Sequence, residues 1–249
     1  MRRRLKLVVA YDGAPFSGWQ SQRSGNTVQD YLEGAFASIA GEAVRVHGAG
    51  RTDAGVHALG QCAHVDLPDR SLRPEQWVAA LNSALPATVR VLRCKYVSAA
   101  FHARYSAKGK TYRYRIWNDL ILPPLEVGRA WHVSVPLHFE VMKAEAQAFV
   151  GCHDFSSFAA NRGTPDTNTV RTIEAVRLRR SGRCIDVEVT GNGFLYKMVR
   201  LMIGALVRAG RNEELAGSVR VRLAEPSATR PGAREVAPAA GLFLQRVRY

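Results

Sequence analysis

The chain has 249 residues and a mass of 27.4 kDa, which is enough for one large domain or two of ordinary size. Apolar residues make up 47% and charged residues 22%, a balance that excludes a disordered, collagen-like or coiled-coil chain. Its 35 Lys and Arg residues outnumber its 21 Asp and Glu residues, and the net charge of +14 favours a polyanionic partner, nucleic acid before an anionic membrane.

The first half of the chain predicts the element order β-α-β-β-α-β. Thr27 is a good N-cap for the first helix, and Gly41 is a good residue to end it. Pro74 opens the second helix and Pro86 closes it. The predicted strands are residues 5–11, 44–46, 61–67 and 89–97. This order is that of the split unit of ferredoxin-like folds.

The second half predicts the same order. Helices are indicated by apolar residues at helical spacing in 139–149 and 195–207, and strands at 111–117, 170–178, 184–189 and 242–247. We therefore predict an α+β fold of two related ferredoxin-like domains, an N-terminal one of residues 1–103 and a C-terminal one of residues 104–249.

The basic charge is concentrated in the second half. Residues 1–103 carry 12 basic and 8 acidic residues, whereas residues 104–249 carry 23 and 13. The segment 104–115 interleaves five basic residues with three tyrosines and contains no acid. Basic side chains with aromatic rings suit single-stranded RNA, but a half-buried strand with a charged outer face would have the same pattern.

The four cysteines are far apart in the sequence and form no CxxC motif, so we expect free thiols in a reduced cytoplasm. The basic start of the chain is followed by an apolar run that stops at Tyr11, which is too short for a signal peptide. No stretch reaches the roughly 18 apolar residues of a membrane span.

Residues 48–58, between two predicted strands, are the segment best suited to chemistry. Glycines and alanines surround Arg51 and Asp53, so a ligand could approach the carboxylate closely. An ordinary Asp-Ala-Gly turn is the alternative. The segment lacks the Gly-Lys-Ser/Thr ending of a phosphate-binding loop. The spacing of the nearby histidines with Asp53 matches no familiar zinc site.

The block Gly50-Arg51-Thr52-Asp53-Ala54-Gly55-Val56-His57-Ala58 resembles the active-site motif of the bacterial tRNA pseudouridine synthase A family. The resemblance extends over nearly the whole chain. Further matching blocks are Tyr11-Asp12-Gly13, Phe16 to Gln20, Phe101 to Arg104, Lys110 to Tyr114, His153 to Phe158, Phe194 to Arg200 and Ala240 to Leu244.

The resemblance implies two α+β domains whose antiparallel sheets meet around a basic active-site cleft. It implies a homodimer that isomerises uridine to pseudouridine at positions 38, 39 and 40 of the tRNA anticodon stem-loop, with no cofactor and no metal. Asp53 matches the essential aspartate. Its carboxylate could add to the sugar carbon or abstract a neighbouring proton, and the sequence leaves both open.

The resemblance also implies three substrate-binding residues. Arg51 would position the RNA backbone, Arg200 would be the basic partner of the aspartate, and Tyr112 would stack on the flipped uracil. From spacing alone, Arg200 could equally be a surface residue of an amphipathic helix, and Tyr112 could be a sheet-packing residue like Tyr114.

Two other functions fit parts of the sequence. One is an RNA-binding protein of tandem ferredoxin-like domains without catalysis, although the first domain lacks the aromatic block of such readers. The other is a metal-dependent nucleic-acid hydrolase, which the lack of clustered carboxylates disfavours.

Overall fold

The computed structural model describes residues 2–23, 25–68, 72–160, 168–226 and 235–249. The strands in these ranges are β1 (Arg2–Tyr11), β2 (His47–Gly48), β3 (His57–Pro68), β4 (Val89–Val97), β5 (Gly109–Asn118), β6 (Trp131–Val133), β7 (Gly151–Asp154), β8 (Val170–Ser181), β9 (Cys184–Gly191) and β10 (Leu242–Arg248). The α-helices are α1 (Val28–Ala40), α2 (Pro74–Ala84), α3 (Phe139–Gln147), α4 (Met198–Gly210) and α5 (Ser218–Ala224). None of these helices is long and apolar enough to cross a membrane.

The chain divides into two compact units. Unit 1 is Met1–Lys108 with Phe243–Tyr249, and unit 2 is Gly109–Leu242. The last strand of the chain therefore packs mainly with unit 1, although it follows unit 2 in the sequence.

In unit 1, β1 pairs antiparallel with both β3 and β4. β3 also pairs antiparallel with β2 and, through Phe243, parallel with β10. Alternate residues of β1, such as Leu5 and Leu7, are completely buried. The helices contribute Phe36 and Trp77, whose ring centroids lie 5.2 Å apart. A slip of β1 by one residue would expose its apolar face, so this core determines the strand register.

In unit 2, the strand order is β5-β9-β8-β7 with antiparallel pairing, and β6 pairs parallel with β5. Val187 and Val189 of β9 and Ile116 of β5 are completely buried. Helix α4 is buried around most of its circumference, because apolar residues occupy almost every position along it. It forms the centre of this unit's core.

The two helices predicted in the first half are confirmed. The side-chain oxygen of Thr27 accepts a hydrogen bond from the backbone N–H of Asp30 at 3.3 Å, and Gly41 ends α1 in the left-handed conformation at φ 73°. Pro74 is the first residue of α2, as predicted.

The strand predicted at residues 44–46 is wrong, because the strand is the two-residue β2 just after it. Val44 and Val46 are buried, as a strand pattern requires. However, the N–H of Val46 donates to Oε1 of Glu33 at 2.9 Å, so a side chain of α1 satisfies this backbone group.

The β-α-β-β-α-β order predicted for the second half is incomplete. The prediction missed three elements: β6, β7 and α5. They have three, four and seven residues, too few to show a clear period. The predicted final strand exists as β10, but all of its residues after Leu242 belong to unit 1. The sheets and helices agree with the α+β class, whereas two ferredoxin-like domains spanning 1–103 and 104–249 remain a prediction.

Candidate active site

Asp53 begins a tight turn in the loop between β2 and β3. Its carbonyl oxygen accepts a hydrogen bond from the N–H of Val56 at 3.1 Å, and Gly55 has a φ of 75°. A positive φ at the third of four turn residues is the position that a type II turn reserves for glycine. Asp53 is half-buried and Arg51 is exposed. The Asp-Ala-Gly turn therefore exists, and it is the element that presents the carboxylate.

The residue before Asp53 is held on two sides by the N-terminal part of unit 1. The hydroxyl of Tyr11 hydrogen-bonds Oγ1 of Thr52 at 2.8 Å in a buried contact, and the N–H of Trp19 donates to the carbonyl of Thr52 at 3.1 Å. Burial raises the pKa of Tyr11, so this hydroxyl stays protonated at neutral pH. The backbone beside Asp53 is thus fixed by uncharged hydrogen bonds.

The two ends of the loop are anchored to β3 and to the segment after β1. Gln61 donates from Nε2 to the carbonyl of Gly50 at 2.8 Å. At the other end, Nδ1 of the buried His57 accepts the N–H of Gly13 at 3.0 Å, and the His57 ring stacks on Phe243 at a centroid distance of 4.7 Å. A side chain at Gly13 would collide with the loop, because its Cβ would lie 2.0 Å from the carbonyl oxygen of Val56.

Sequence reasoning assigned no role to the residues that brace the Asp53 loop. They are Tyr11, Gly13, Gly18, Trp19, His57 and Gln61. Five of them lie in blocks that carry the family resemblance. Gly13 and Gly18 in those blocks could have indicated a close approach of two backbone segments. The role of Gln61 could not be predicted in this way. It is one residue of a strand, and its hydrogen-bond partner Gly50 is known only from the folded chain.

The remaining two predicted site residues, Tyr112 and Arg200, lie in unit 2. Tyr112 of β5 is 8% exposed, and its ring meets Phe194 edge-on at a centroid distance of 5.1 Å. Tyr114 is fully buried, and its hydroxyl donates to the carbonyl of Pro238 at 2.8 Å. Tyr114 therefore has the sheet-packing role that the sequence left open for either tyrosine.

Arg200 lies on α4, the helix for which spacing alone left a surface position open. Its Nε donates to the carbonyl of Ala237 at 2.6 Å, and the N–H of Ala237 donates back to the Arg200 carbonyl at 3.1 Å. Further along the helix, a Cβ at Gly204 would lie 1.8 Å from the backbone carbonyl oxygen of Glu235. The side-chain carboxylate of Glu235 pairs with Arg211 at 3.1 Å. This side of α4 thus holds the segment 235–237, and the half-buried Arg200 is one of the residues that contact it.

The basic and aromatic segment 104–115 divides into two parts. Arg104 and Lys108 are exposed in unit 1. Arg115 of β5 instead forms ion pairs with Asp186 at 3.2 Å and Glu126 at 3.5 Å. The charged strand face therefore describes Arg115, whereas RNA binding by the exposed first part stays a prediction.

Among the described residues, no three His, Cys, Asp or Glu side chains are grouped so that they could hold a metal ion. His47 and His64 stack on each other at a centroid distance of 4.9 Å, while His57 stacks on Phe243. His57 and His64 also accept backbone hydrogen bonds, from Gly13 at 3.0 Å and from Ala103 at 3.1 Å.

Comparison with known proteins gives consistent matches over nearly the whole chain. A family model described as tRNA pseudouridine synthase matches residues 7–106 and 146–249. A protein named tRNA pseudouridine synthase A from Akkermansia muciniphila is 46% identical over 256 residues, covering 99% of this chain and 95% of that protein. A protein of the same name from Acetivibrio thermocellus is 40% identical over 247 residues, covering 99% and 100%.

Proposed function

This chain belongs to the tRNA pseudouridine synthase family, and we propose that it converts uridine to pseudouridine at positions 38, 39 and 40 of the tRNA anticodon stem-loop. It is an isomerase that acts on uridine in tRNA. In this reaction the bond from N1 of uracil to C1′ breaks and a bond from C5 to C1′ forms. A proton leaves C5 and N1 gains one, so substrate and product have the same mass.

The reaction requires the base to leave its stack. A uracil inside a stem cannot rotate between its two bonding positions, so the enzyme has to flip it out. The net charge of +14 suits a protein that holds the flanking phosphates while this happens. Asp53 is the catalytic residue of the proposal, and Arg51, Tyr112 and Arg200 bind the substrate.

The observation that carries the proposal is the way in which unit 1 holds Asp53. The backbone on either side of this residue is hydrogen-bonded to Trp19 and turned back through Val56, and the loop ends on the buried His57. A carboxylate held in one position needs little rearrangement as charge develops at the sugar carbon. Addition to C1′ and abstraction of a neighbouring proton both require the ionised carboxylate.

We further propose that each half of the chain is a ferredoxin-like domain, 1–103 and 104–249, and that the enzyme works as a homodimer in the cytoplasm. The strand pairing β4-β1-β3-β2 with α1 and α2 in unit 1 supports the first point. The four cysteines, all free thiols, support a reducing compartment.

The proposal is tested by incubating the purified protein with unmodified tRNA and a metal chelator, then detecting pseudouridine by chemical labelling and mapping its positions. We expect labelling at positions 38, 39 and 40. Binding of tRNA without any conversion would instead favour a non-catalytic RNA-binding protein. Strand cleavage that depends on added metal would favour a hydrolase.

Removing the Tyr112 hydroxyl is expected to affect turnover more than binding. We propose that the Tyr112 hydroxyl helps to remove the C5 proton. In Tyr112→Phe the ring still stacks on the base, so the Kd for tRNA should stay within about twofold, while turnover falls about 100-fold through loss of this proton transfer. Tyr112→Ala should weaken binding as well. Single-turnover rates and Kd values measured on the same tRNA separate these effects.

Tyr114→Phe is the matched control on the same strand face. It removes a buried hydrogen bond to Pro238, so the free energy of unfolding should fall by about 1 kcal/mol. Turnover of the folded protein should not change. Normal turnover in both Tyr112 variants would assign Tyr112 to sheet packing, like Tyr114.

A further inference from the structure

An exposed aromatic side chain in unit 1 stands on a rigid base. The Tyr105 side chain is 77% exposed, and its ring lies against His102 at a centroid distance of 4.4 Å and an interplanar angle of 32°. The guanidinium carbon of Arg104 lies 5.7 Å from the centre of the Tyr105 ring. We call Arg104, Tyr105 and His102, with the exposed Lys108, the Tyr105 platform.

The turn that carries Tyr105 is held by four hydrogen bonds between His102 and the three residues Arg104, Tyr105 and Ser106. Nδ1 of His102 accepts the backbone N–H groups of Arg104 at 3.1 Å and of Tyr105 at 3.3 Å. The N–H of Ser106 donates to the His102 carbonyl at 2.9 Å, and the N–H of His102 donates to Oγ of Ser106 at 3.0 Å. The backbone below the ring is thus a preformed loop.

Hydrogen bonds also attach this turn to the sheet of unit 1. The N–H of Ala103 donates to Nδ1 of the buried His64 at 3.1 Å, and the Ala103 carbonyl accepts the hydroxyl of Tyr249 at 2.7 Å. Arg4 of β1 donates to the carbonyl of Phe101 at 2.7 Å. Strands β1 and β3 and the residue after β10 therefore hold a surface turn whose outermost side chain, Tyr105, is 77% exposed.

The acceptor nitrogens of this network stay unprotonated at neutral pH. Burial, together with the positive charge of Arg4, lowers the pKa of His64 to about 4. The pKa of His102 is also lowered, first by burial and then by the neighbouring His47, Arg4 and Arg104. The turn therefore keeps its form under the conditions in which RNA is bound.

The chemistry around the ring favours RNA over a protein partner. The guanidinium of Arg104 lies against the ring, Lys108 is exposed three residues after Tyr105 along the chain, and the carboxylate of Asp66 is bound by Arg4 through two contacts of 2.7 Å. The surface thus combines an open aromatic face with positive charge. Aromatic faces stack on unpaired bases, and basic side chains bind the phosphates beside them.

We propose that the Tyr105 platform is a second contact with the bound tRNA, in which Tyr105 stacks on an unpaired base and Arg104 and Lys108 bind adjacent phosphates. The inference rests on the proposed function for its partner. His64, which binds the turn of the platform, lies seven residues beyond His57 along β3. A strand rises about 3.3 Å per residue, so this turn is about 20 Å from the His57 end of the Asp53 loop, where Tyr11 pairs with Ala58 and binds Thr52. The platform contacts a nucleotide other than the reacting one.

The test compares Tyr105→Ala and Tyr105→Trp with the wild-type protein in binding to unmodified tRNA and to a loop-free RNA duplex. We expect Tyr105→Ala to raise the Kd for tRNA about tenfold and its KM similarly, with kcat unchanged. Tyr105→Trp should bind tRNA like the wild type, and binding of the duplex should change less than twofold. Leu215→Ala, at another exposed apolar position, is the control and should change neither Kd.

The outcomes separate this inference from the proposed function. Normal tRNA affinity in Tyr105→Ala would overturn the platform even if the wild type forms pseudouridine. A changed oligomeric state of Tyr105→Ala with normal tRNA affinity would also overturn it and indicate a protein interface. If Tyr105 governs tRNA binding and the wild type forms no pseudouridine, the platform stands and the proposed reaction fails.

Discussion

Asp53→Asn is expected to abolish isomerisation while leaving the fold and tRNA binding intact. Asparagine has nearly the same shape as aspartate, so the turn closed by the N–H of Val56 should persist. The amide is neither a nucleophile nor a base, and single-turnover conversion of unmodified tRNA should fall by at least about a thousandfold. The Kd for tRNA, measured on the same preparation, should stay within about twofold of the wild-type value.

Asp119→Asn is the matched control for this variant. Asp119 lies in unit 2, where it forms an ion pair with Arg183 at 3.4 Å, and its side chain is 35% exposed. An exposed pair of this kind contributes at most about 1 kcal/mol, so stability and turnover should both be close to wild type. Near-normal turnover in Asp53→Asn would remove Asp53 from the chemistry.

Gly18→Ala is expected to lower turnover about 100-fold without touching any group that reacts. Gly18 has a φ of 98°, and a Cβ built there would lie 2.7 Å from the carbonyl oxygen of Thr52 and 3.2 Å from the nitrogen of Ala54. The methyl group would therefore displace the backbone of the residues before and after Asp53. A displacement of about 1 Å is enough for a loss of this size. Single-turnover rates measure the displacement through its effect on chemistry.

Gly41→Ala separates loop displacement from backbone strain. Gly41 also has a positive φ, 73°, but nothing lies within 4 Å of a Cβ built there. Gly41→Ala should lose roughly 1–2 kcal/mol of unfolding free energy through the left-handed conformation alone, as measured by denaturant titration. Gly18→Ala should lose at least as much, because its methyl group also meets backbone atoms of the Asp53 loop. Only Gly18→Ala should lose turnover. Equal loss of activity in both variants, or in neither, would contradict the bracing role of Gly18.

The sequence alone determined the elements whose signals are local. The N-cap at Thr27, the left-handed Gly41 and the opening Pro74 act on residues within one helical turn, so α1 and α2 could be predicted from neighbours in the chain. The residues 50–58 were likewise recognisable as one block. The family assignment followed from that block and was confirmed by the comparisons.

Only the tertiary structure shows which partners each of several equivalent residues contacts. Tyr112 and Tyr114 share a strand face by period, and Tyr114 is distinguished by its bond to Pro238, far along the chain. The spacing of Arg200 fits the polar face of an amphipathic helix, and only the folded chain shows that Arg200 binds Ala237.

The pairing of the last strand and the position of the short strand β2 could not be predicted from local sequence either. The parallel pairing of Phe243 with His57 brings together residues from opposite ends of the chain. The strand pattern at residues 44–46 fails because Glu33, on a preceding helix, binds the N–H of Val46. A local pattern determines where a side chain points relative to its neighbours, whereas its partners depend on how distant segments meet, and that information is present only in the folded chain.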